Sequence, residues 1–301
     1  MYMVYDALCM DDGSIYSALK EAKKYGALMG MHCENWEVLK RRIAEVHAAG
    51  IYGPEGHPLS RPSAVEAEAV ARYMRIAQLA EAPVYVVHLS TAEGLMEARR
   101  ARERGQTVYL ETCPQYLYLT DERYKDPDGA KFVMSPPLRK ASDNAALWSA
   151  LIGGEVNFVG TDHCSFTMAQ KAQSGGDFAK TPNGGAGVQH RGQLIYNAVK
   201  EGRMSAERMV ECLSTTAARL FGMDSHGEIT PGKAADIVVW ADGDGCITNT
   251  NTAHNCDNSP FHGIKTRGYA RDVVLNGIPA VRNGEIIRAG TGKFIKRNRC
   301  Y

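Results

Sequence analysis

The sequence predicts an α/β fold in which parallel β-strands alternate with α-helices, followed by a smaller β-rich segment. Through the first two-thirds of the chain, short apolar runs alternate with longer stretches whose apolar residues recur at helical spacing. From Gly227 onward, short β-like segments are separated by Pro-Gly, Asp-Gly and Asn-Gly turns. Repeated helix-to-strand units are typical of a parallel sheet covered by helices, so the two patterns indicate two structural regions.

The predicted helices are supported by local signals at their ends. Ser14 is the N-cap candidate of the first helix, because a serine hydroxyl accepts a hydrogen bond from the free amides of the first turn. Gly105 follows another helix at the position where glycine commonly ends one. Helices are predicted over residues 14–25, 63–80, 92–104 and 141–152, then after Gly192 through Ala198, and over 206–213 and 217–221.

The predicted strands are short apolar runs, and each of the first four follows a predicted helix. These four span residues 27–31, 84–87, 107–110 and 156–159. After Gly227 the predicted strands span 235–240, 270–275, 278–282 and 285–287. We therefore predict a βα region over residues 1–226, a β-region over 227–290 and a flexible, polar tail over 291–301.

Composition and charge narrow the class of ligand. The chain has 301 residues, of which 44% are hydrophobic and 23% charged, with a net charge of +1, the profile of a soluble globular protein. This balance offers no electrostatic footprint for nucleic acid or an anionic membrane surface, so a small-molecule ligand is expected. The apolar runs are too short to span a bilayer and no signal-peptide layout is present, which predicts a cytoplasmic location.

The cysteines indicate which atoms would hold a metal ion. Eight cysteines are scattered singly, with no pair separated by two residues. This pattern predicts reduced thiols rather than a disulfide framework or a thiolate zinc site. Any metal ion is therefore expected on nitrogen and oxygen ligands.

Metal-capable side chains follow three of the predicted strands. One strand runs into His32, the next into His88, and a later one into Asp162 and His163. In a (β/α) barrel the carboxyl ends of the strands converge on one rim, where active sites are built. Two imidazoles and a carboxylate suit zinc or a similar ion, so the sequence predicts a metal site from His32, His88 and Asp162.

The alternative is that these histidines are structural. A single histidine after an apolar run is more often a satisfied core or capping residue than a ligand. Metal-capable side chains at three equivalent strand ends favour the metal interpretation over that alternative. The structural interpretation is kept for the histidines in helical or loop contexts, which are His47, His57, His226 and His254.

An ordered set of motifs resembles one known family. The motifs lie at residues 31–35, 57–62, 87–90, 111–116, 135–139, 160–164, 183–191 and 232–238. Each motif alone is a weak signal, but the set in this order is similar to the cyclic amidohydrolases, specifically the dihydropyrimidinase, D-hydantoinase and phenylhydantoinase group. The resemblance runs from Tyr2 to about Gly290.

The resemblance implies a fold and an activity. The expected fold is the C-terminal half of a (β/α)8 TIM-like barrel of the amidohydrolase type up to residue 226, with β-sandwich strands over 227–290. The expected reaction is metal-dependent hydrolysis of the cyclic amide bond of dihydropyrimidines or 5-substituted hydantoins to N-carbamoyl amino acids. The expected partners are a small cyclic amide substrate and further copies of the chain in a dimer or tetramer, with no nucleic acid and no membrane.

The resemblance also implies roles for the strand-end residues. In this family two divalent ions, most often zinc with manganese as the alternative, hold a bridging hydroxide that attacks the ring carbonyl. His32 and His88 resemble the two histidines that bind one ion. Asp162 resembles the carboxylate on the other ion, which is also the general acid and base. His163 is similar to a residue that supports the ligands.

Three further residues resemble substrate-binding positions. Tyr5 resembles the tyrosine that donates its hydroxyl to the oxyanion. Ser135 and Asn183 resemble positions that bind the amide and carbonyl groups of the ring, mostly through their backbone. Taken without the family, Tyr5 would be a packed aromatic residue, and the other two would belong to an ordinary loop and an ordinary turn.

Two family features are not found in this sequence. No His-x-His motif occurs, although the family carries one on its first barrel strand. The resemblance also places the carbamylated lysine that bridges both ions immediately before Met1. We therefore expect either a segment of a longer molecule or a reading frame begun at an internal methionine, and we expect these 301 residues alone to be inactive.

Several functions remain open from the sequence. An allantoinase or a dihydroorotase uses the same metal chemistry on other rings. The family also contains non-enzymatic assembly proteins that have lost metal ligands, and retention of His32, His88 and Asp162 argues against that class. A third alternative is a non-catalytic fragment that assembles with full-length subunits.

Overall fold

The structure, a computed structural model, describes residues 8–301 and contains two four-stranded sheets in that range. The strands of the first sheet are β1 (Gly30–Met31), β2 (Val84–Val86), β3 (Val108–Thr112) and β4 (Phe158–Val159). The strands of the second are β5 (Ile237–Cys246), β6 (Lys265–Leu275), β7 (Ile278–Arg282) and β8 (Glu285–Ile286). The strands follow chain order in both sheets. Tyr5 lies outside the described residues.

The helices alternate with the strands of the first sheet and then run in series before the second. They are α1 (Asp12–Tyr25), α2 (Trp36–Ala48), α3 (Gly56–Ser60), α4 (Ser63–Ala80), α5 (Ala92–Glu103), α6 (Pro114–Tyr118), α7 (Ala141–Ile152), α8 (Met168–Ala172), α9 (Arg191–Lys200), α10 (Ala206–Val210) and α11 (Thr216–Leu220). Turns of 3₁₀-helix span Asp121–Lys125 and Gly129–Phe132, and a π-helical turn spans Glu211–Thr215. The predicted helices over 63–80 and 141–152 have the bounds that the sequence predicts.

The N-terminus of α1 differs from the prediction. Asp11, rather than Ser14, is its N-cap, because the Asp11 Oδ1 atom accepts the backbone N–H of Ser14 at 2.7 Å. An aspartate at this position also places its negative charge beside the positive end of the helix dipole. The prediction of Ser14 as the cap is therefore wrong by one turn.

The first sheet is parallel, as the repeated helix-to-strand units predict. Met31 pairs with Val86 between β1 and β2, and Val86 pairs with Leu110 between β2 and β3. Thr112 pairs with Val159 between β3 and β4. Because the strands run in one direction in nearly matched register, their carboxyl ends lie along one edge of the sheet. Residues that directly follow the strands are thereby brought to the same side of the molecule.

The main core lies between this sheet and its helices. Helix α4 is buried along most of its length, with Tyr73 and Met74 fully inaccessible to solvent. Its neighbour α5 buries Leu95 and Ala98 in the same core, and α1 contributes Leu19. Burial of these apolar side chains supplies the main driving force for packing the helices onto the sheet.

Helix α9 attaches the second sheet to the rest of the chain. The ring of Tyr196 stacks on Trp240 of β5, with centroids 5.0 Å apart and planes 13° apart. Asn197 donates its side-chain N–H to the Lys265 carbonyl at 2.8 Å. A Cβ atom at Gly268 of β6 would lie 2.2 Å from the Tyr196 ring, so only glycine allows this close approach. The second sheet is therefore held by specific contacts rather than by a loose linker.

Backbone hydrogen bonds attach the C-terminal segment to the rest of the chain. Residues 291–301 contain no helix or strand. However, the N–H of Asn298 donates to the Gly222 carbonyl at 2.8 Å, and the N–H of Cys300 donates to the Gly26 carbonyl at 2.7 Å. The end of the chain is thus hydrogen-bonded beside α1 and α11. Across residues 8–301, no helix combines the length and apolar character needed to cross a membrane.

Leu95 and Leu79 provide a matched test of this packing. Leu95 in α5 is 1% exposed, whereas Leu79 in α4 is 74% exposed. The Leu95→Ala change leaves a cavity, so we expect the free energy of unfolding to fall by about 2–5 kcal/mol. The Leu79→Ala change should alter it by no more than about 0.5 kcal/mol. Urea denaturation measures both values, and equal losses would contradict the packing.

Candidate active site

His32 and His88 meet at the carboxyl ends of β1 and β2. They lie one and two residues beyond the paired residues Met31 and Val86. The Nδ1 atom of His32 is 3.0 Å from the Nε2 atom of His88. The rings are arranged edge to face, with centroids 4.7 Å apart, and both side chains are buried. Two of the three predicted metal ligands are thus in direct contact.

The second ring nitrogen of His32 is held by a buried carboxylate. Its Nε2 atom is 2.9 Å from Oε2 of Glu34, and Arg61 donates from Nη1 to the same oxygen at 2.6 Å. Burial acts to raise the pKa of Glu34, but the Arg61 guanidinium and the His32 hydrogen bond together hold it well below its usual range. The ionised carboxylate favours a proton on Nε2 of His32. In the neutral ring, the lone pair of Nδ1 therefore faces His88.

His88 is a neutral imidazole in this position. Burial, with His32 nearby, lowers the pKa of His88 to about 3. Its Nδ1 atom is buried and has no hydrogen-bond partner on another residue within 8–301. A neutral ring carries one proton, so His88 either donates it from Nε2 to His32, or carries it on Nδ1 and presents a lone pair to the lone pair of His32. In both tautomers Nδ1 lacks a partner within the described residues. The second arrangement requires a cation between the two rings.

The spacing of the two nitrogens fits a shared metal ion. Two imidazole nitrogens that each lie about 2.0–2.1 Å from one zinc ion are separated by roughly 3 Å or slightly more. The observed separation of 3.0 Å is at the short end of that range. Metal binding requires an imidazole nitrogen without a proton, and the lowered pKa of His88 favours that state in its ring. The donor set therefore fits a divalent ion held through nitrogen.

The backbone is strained at two of the three candidate ligands. Five residues other than glycine have a positive φ in the described range: Glu81, His88, Asp162, Asn276 and Asn283. Glu81 ends α4, and the two asparagines occupy turns that join strands of the second sheet. His88 (φ 40°) and Asp162 (φ 47°) instead lie two and three residues beyond strands of the parallel sheet. Left-handed backbone at such positions is characteristic of functional sites.

Glu111 on β3 supports the turn at His88. Its Oε1 atom accepts the backbone N–H of His88 at 3.2 Å, and its Oε2 atom accepts the hydroxyl of Tyr85. A Cβ atom at Gly160 would lie 2.4 Å from the Glu111 carboxyl carbon, so glycine makes room for this carboxylate. Burial raises the pKa of Glu111. These contacts give Glu111 a structural role beside His88.

Asp162 lies beyond β4 in a solvent-accessible position. Its side chain is exposed to solvent, yet the surrounding protein raises its pKa through partial desolvation, against an opposing effect of His32. That effect places Asp162 within electrostatic reach of His32. Within residues 8–301, no three side chains of His, Cys, Asp or Glu are grouped closely enough to hold one metal ion. Asp162 thus does not join the His32–His88 pair in a three-ligand group.

Ser135 and Asn183 contact each other directly. The hydroxyl of Ser135 donates to Oδ1 of Asn183 at 2.9 Å. Beside them, the N–H of Gly184 donates to the Val133 carbonyl at 3.0 Å. The N–H of Cys164 donates to the Gly185 carbonyl at 3.2 Å, which ties the same loop to the segment after Asp162. The two predicted substrate-binding loops are thereby joined to each other and to the strand that carries Asp162.

His163 strengthens the connection between the Asp162 segment and the following loop. Its Nδ1 atom accepts the N–H groups of Gly187 and Val188 at 3.0 and 3.2 Å. A ring that accepts at Nδ1 carries its proton at Nε2 when neutral. His163 therefore fixes the conformation of this loop. Tyr5, the remaining predicted site residue, lies outside the described range.

The buried Glu34–Arg61 pair is the supporting feature for which the sequence predicts no role. Glu34 is two residues beyond His32, and side chains two apart in an extended segment point to the same side. That spacing was an available signal for a carboxylate beside the first histidine. Arg61 had no comparable signal, because it reaches Glu34 from 27 residues away in the chain.

The sequence profile of the amidohydrolase family matches residues 5–279 of the chain. The chain belongs to the amidohydrolase family. It is 40% identical to D-phenylhydantoinase of Escherichia coli O1:K1 / APEC over an alignment of 303 positions, which covers 99% of this chain and 66% of that protein. The chain thus spans about two thirds of the length of the curated relatives that it matches.

Solved structures support the same family. The dihydropyrimidinase from Brevibacillus agri NCHU1002 has a TM-score of 0.96 at 38% identity, covering 99% of this chain and 67% of that chain. A D-hydantoinase (dihydropyrimidinase) from a Thermus species has a TM-score of 0.97 at 36% identity, covering 100% of this chain and 67% of that chain. The family and fold class predicted from the sequence are confirmed. Members of the amidohydrolase family generally depend on two metal ions.

His57 provides a test of the electrostatics beside the site. It is 1% exposed, and its Nε2–H donates to the Met134 carbonyl at 2.8 Å. Burial, with Arg61 nearby, lowers the pKa of His57 to about 3. In the unfolded chain the pKa of a histidine is about 6.5. The unfolded state therefore binds more protons between these values, and stability falls as the pH drops below about 6.5.

The His57→Gln variant removes this titration while keeping an N–H donor. Between pH 7.5 and pH 5, the free energy of unfolding of the wild type should fall by about 2 kcal/mol more than that of the variant. Urea denaturation at each pH measures the two differences. Identical pH dependence in both proteins would show that His57 is not held neutral by burial.

Proposed function

We propose that this chain carries much of the active site of a metal-dependent cyclic-amide hydrolase. The proposed reaction opens the ring of dihydropyrimidines or 5-substituted hydantoins to give N-carbamoyl amino acids. The observation that carries the proposal is the buried pair in which Nδ1 of His32 faces Nε2 of His88 at 3.0 Å. The 40% identity to D-phenylhydantoinase supports the substrate class.

We further propose which side chains hold metal ions. His32 and His88 would hold one ion through the facing nitrogens, and Asp162 would bind a second. Imidazole and carboxylate ligands suit both zinc and manganese, and zinc is the first choice for a site rich in histidine. Such ions, when bound, make water a nucleophile at neutral pH and polarise a carbonyl group.

The chain's own residues prepare the histidines for this role. Glu34 holds the proton of His32 on Nε2, so Nδ1 is free for a ligand bond, and a carboxylate partner also makes an imidazole more basic. Glu111 holds the backbone of His88 in its left-handed conformation through a hydrogen bond of 3.2 Å. Both carboxylates therefore orient the rings rather than bind substrate.

Asp162 is the proposed general acid and base. Its raised pKa favours uptake of a proton at a pH nearer neutrality than that of an ordinary aspartate, and its exposed position allows contact with substrate. In the proposed reaction the carboxylate accepts a proton from the attacking water. It then gives that proton to the ring nitrogen as the amide bond breaks.

Ser135 and Asn183 are proposed to bind the ring through their backbone groups. A hydrogen bond of 2.9 Å pairs their side chains with each other. Their amide and carbonyl groups then remain available for the cyclic amide. Tyr5 is the proposed donor to the oxyanion of the transition state. The biological unit is proposed to be a homo-oligomer.

The Asp162→Asn variant tests the proposed proton transfer. The amide cannot accept and release the proton, so ring opening of 5-phenylhydantoin should slow by about 10²–10⁴-fold. The rate of N-carbamoyl product formation by the zinc-loaded full-length enzyme that contains this chain measures this. The control is Asp244→Asn, because the Asp244 side chain is 85% exposed and pairs only with Arg267 among ion-pairing partners in the described chain.

Two results would count against the proposal. A rate for Asp162→Asn within tenfold of wild type would exclude its acid–base role. Hydrolysis of dihydroorotate or allantoin in preference to both hydantoins and dihydropyrimidines would move the proposed substrate to another ring class.

A further inference from the structure

Lys171 in α8 is a buried cation that the proposed mechanism does not use. Its side chain is 1% exposed, and its Nζ atom donates to the Val133 carbonyl at 3.0 Å and to the Pro182 carbonyl at 2.9 Å. Val133 lies two residues before Ser135, and Pro182 directly precedes Asn183. One ammonium group therefore joins the two loops that carry the proposed substrate-binding residues.

The charge of Lys171 has no carboxylate partner among residues 8–301. The ring of Phe166 also lies near it, with its centroid 5.8 Å from Nζ. Burial lowers the pKa of Lys171 to about 8, so the group is mostly protonated at neutral pH. By contrast, the buried Lys131 pairs with the carboxylate of Asp128 at 2.5 Å.

A buried ammonium without a counter-ion is costly unless its N–H groups are hydrogen-bonded. The retained charge is compensated by two backbone carbonyl groups that come from different loops. Both carbonyl oxygens must lie within hydrogen-bonding distance of one Nζ atom, so this atom sets the distance between the two loops. Gly184 adds a direct bond between the loops, because its N–H donates to the same Val133 carbonyl at 3.0 Å.

His57 in α3 holds the residue that precedes Ser135. Its Nε2–H donates to the Met134 carbonyl at 2.8 Å. Successive carbonyl groups of Val133 and Met134 are thus held by two buried side chains from separate helices. Bound groups must be placed to within a fraction of an ångström for efficient reaction, and this arrangement restricts the backbone beside Ser135 accordingly.

We propose that Lys171 is a positioning residue that sets the separation of the Ser135 and Asn183 loops, and so orients the backbone groups that bind the cyclic amide. The part of this inference that concerns substrate orientation rests on the proposed function. The coupling of the two loops is a property of the chain itself and is measurable without substrate.

The test compares Lys171→Met with Lys180→Met. Methionine keeps the length and apolar body of lysine but cannot donate to either carbonyl. Lys180 is the matched control, because its side chain is 74% exposed and it lies in the segment that leads to Asn183. Hydrogen–deuterium exchange is followed in peptides covering residues 133–137 and 182–187, with peptides from β5 and β6 as an internal reference.

In Lys171→Met we expect exchange in both loop peptides to become about tenfold faster or more, with less than a twofold change in β5 and β6. In the zinc-loaded full-length enzyme, KM for 5-phenylhydantoin should rise about tenfold or more and kcat should fall less. Zinc content should stay unchanged. Lys180→Met should behave as wild type in each measurement.

Other outcomes overturn the inference in separable ways. Unchanged exchange in the loops, or equally faster exchange in β5 and β6, would show that Lys171 does not couple the two loops specifically. Faster loop exchange with an unchanged KM would remove its role in substrate orientation. A wild-type enzyme inactive on hydantoins would overturn the proposed function and that orientation role with it, while the exchange result would still decide the coupling.

Discussion

The approach of His32 and His88 is the interaction on which the candidate site depends. Two buried imidazoles face each other at 3.0 Å, and the remaining nitrogen of His88, Nδ1, has no hydrogen-bond partner within residues 8–301. The surrounding structure maintains this contact. Glu34 fixes the proton of His32, Glu111 fixes the backbone of His88, and the parallel pairing of β1 with β2 brings both turns to one edge.

The strand-end histidines were predictable because parallel strands place their carboxyl ends together. That rule needs only short apolar runs followed by His32, His88 and Asp162, and the structure has the sheet that it requires. Strand lengths were less predictable: β1 has only two paired residues, although the apolar run spans 27–31. Helix α2 is absent from the prediction, although its apolar residues Leu39, Ile43 and Val46 recur at helical spacing.

The supports of the site were not predictable because they join segments that are distant in the chain. Arg61 reaches Glu34, His57 reaches the Met134 carbonyl, and Lys171 joins the carbonyl groups of Val133 and Pro182. No local pattern marks such contacts, since each depends on how loops pack above the sheet. The acceptors in the last two cases are backbone carbonyl groups, which every residue possesses, so residue type carries no information about them.

The most direct test of a metal ion on the His32–His88 pair is X-ray absorption at the zinc edge, on zinc-loaded wild type and on His88→Ala. In the wild type we expect imidazole nitrogens about 2.0–2.1 Å from zinc, and their number should fall in the variant. Sulfur scattering at about 2.3 Å, or a ligand shell that His88→Ala leaves unchanged, would contradict a metal ion held between these two rings.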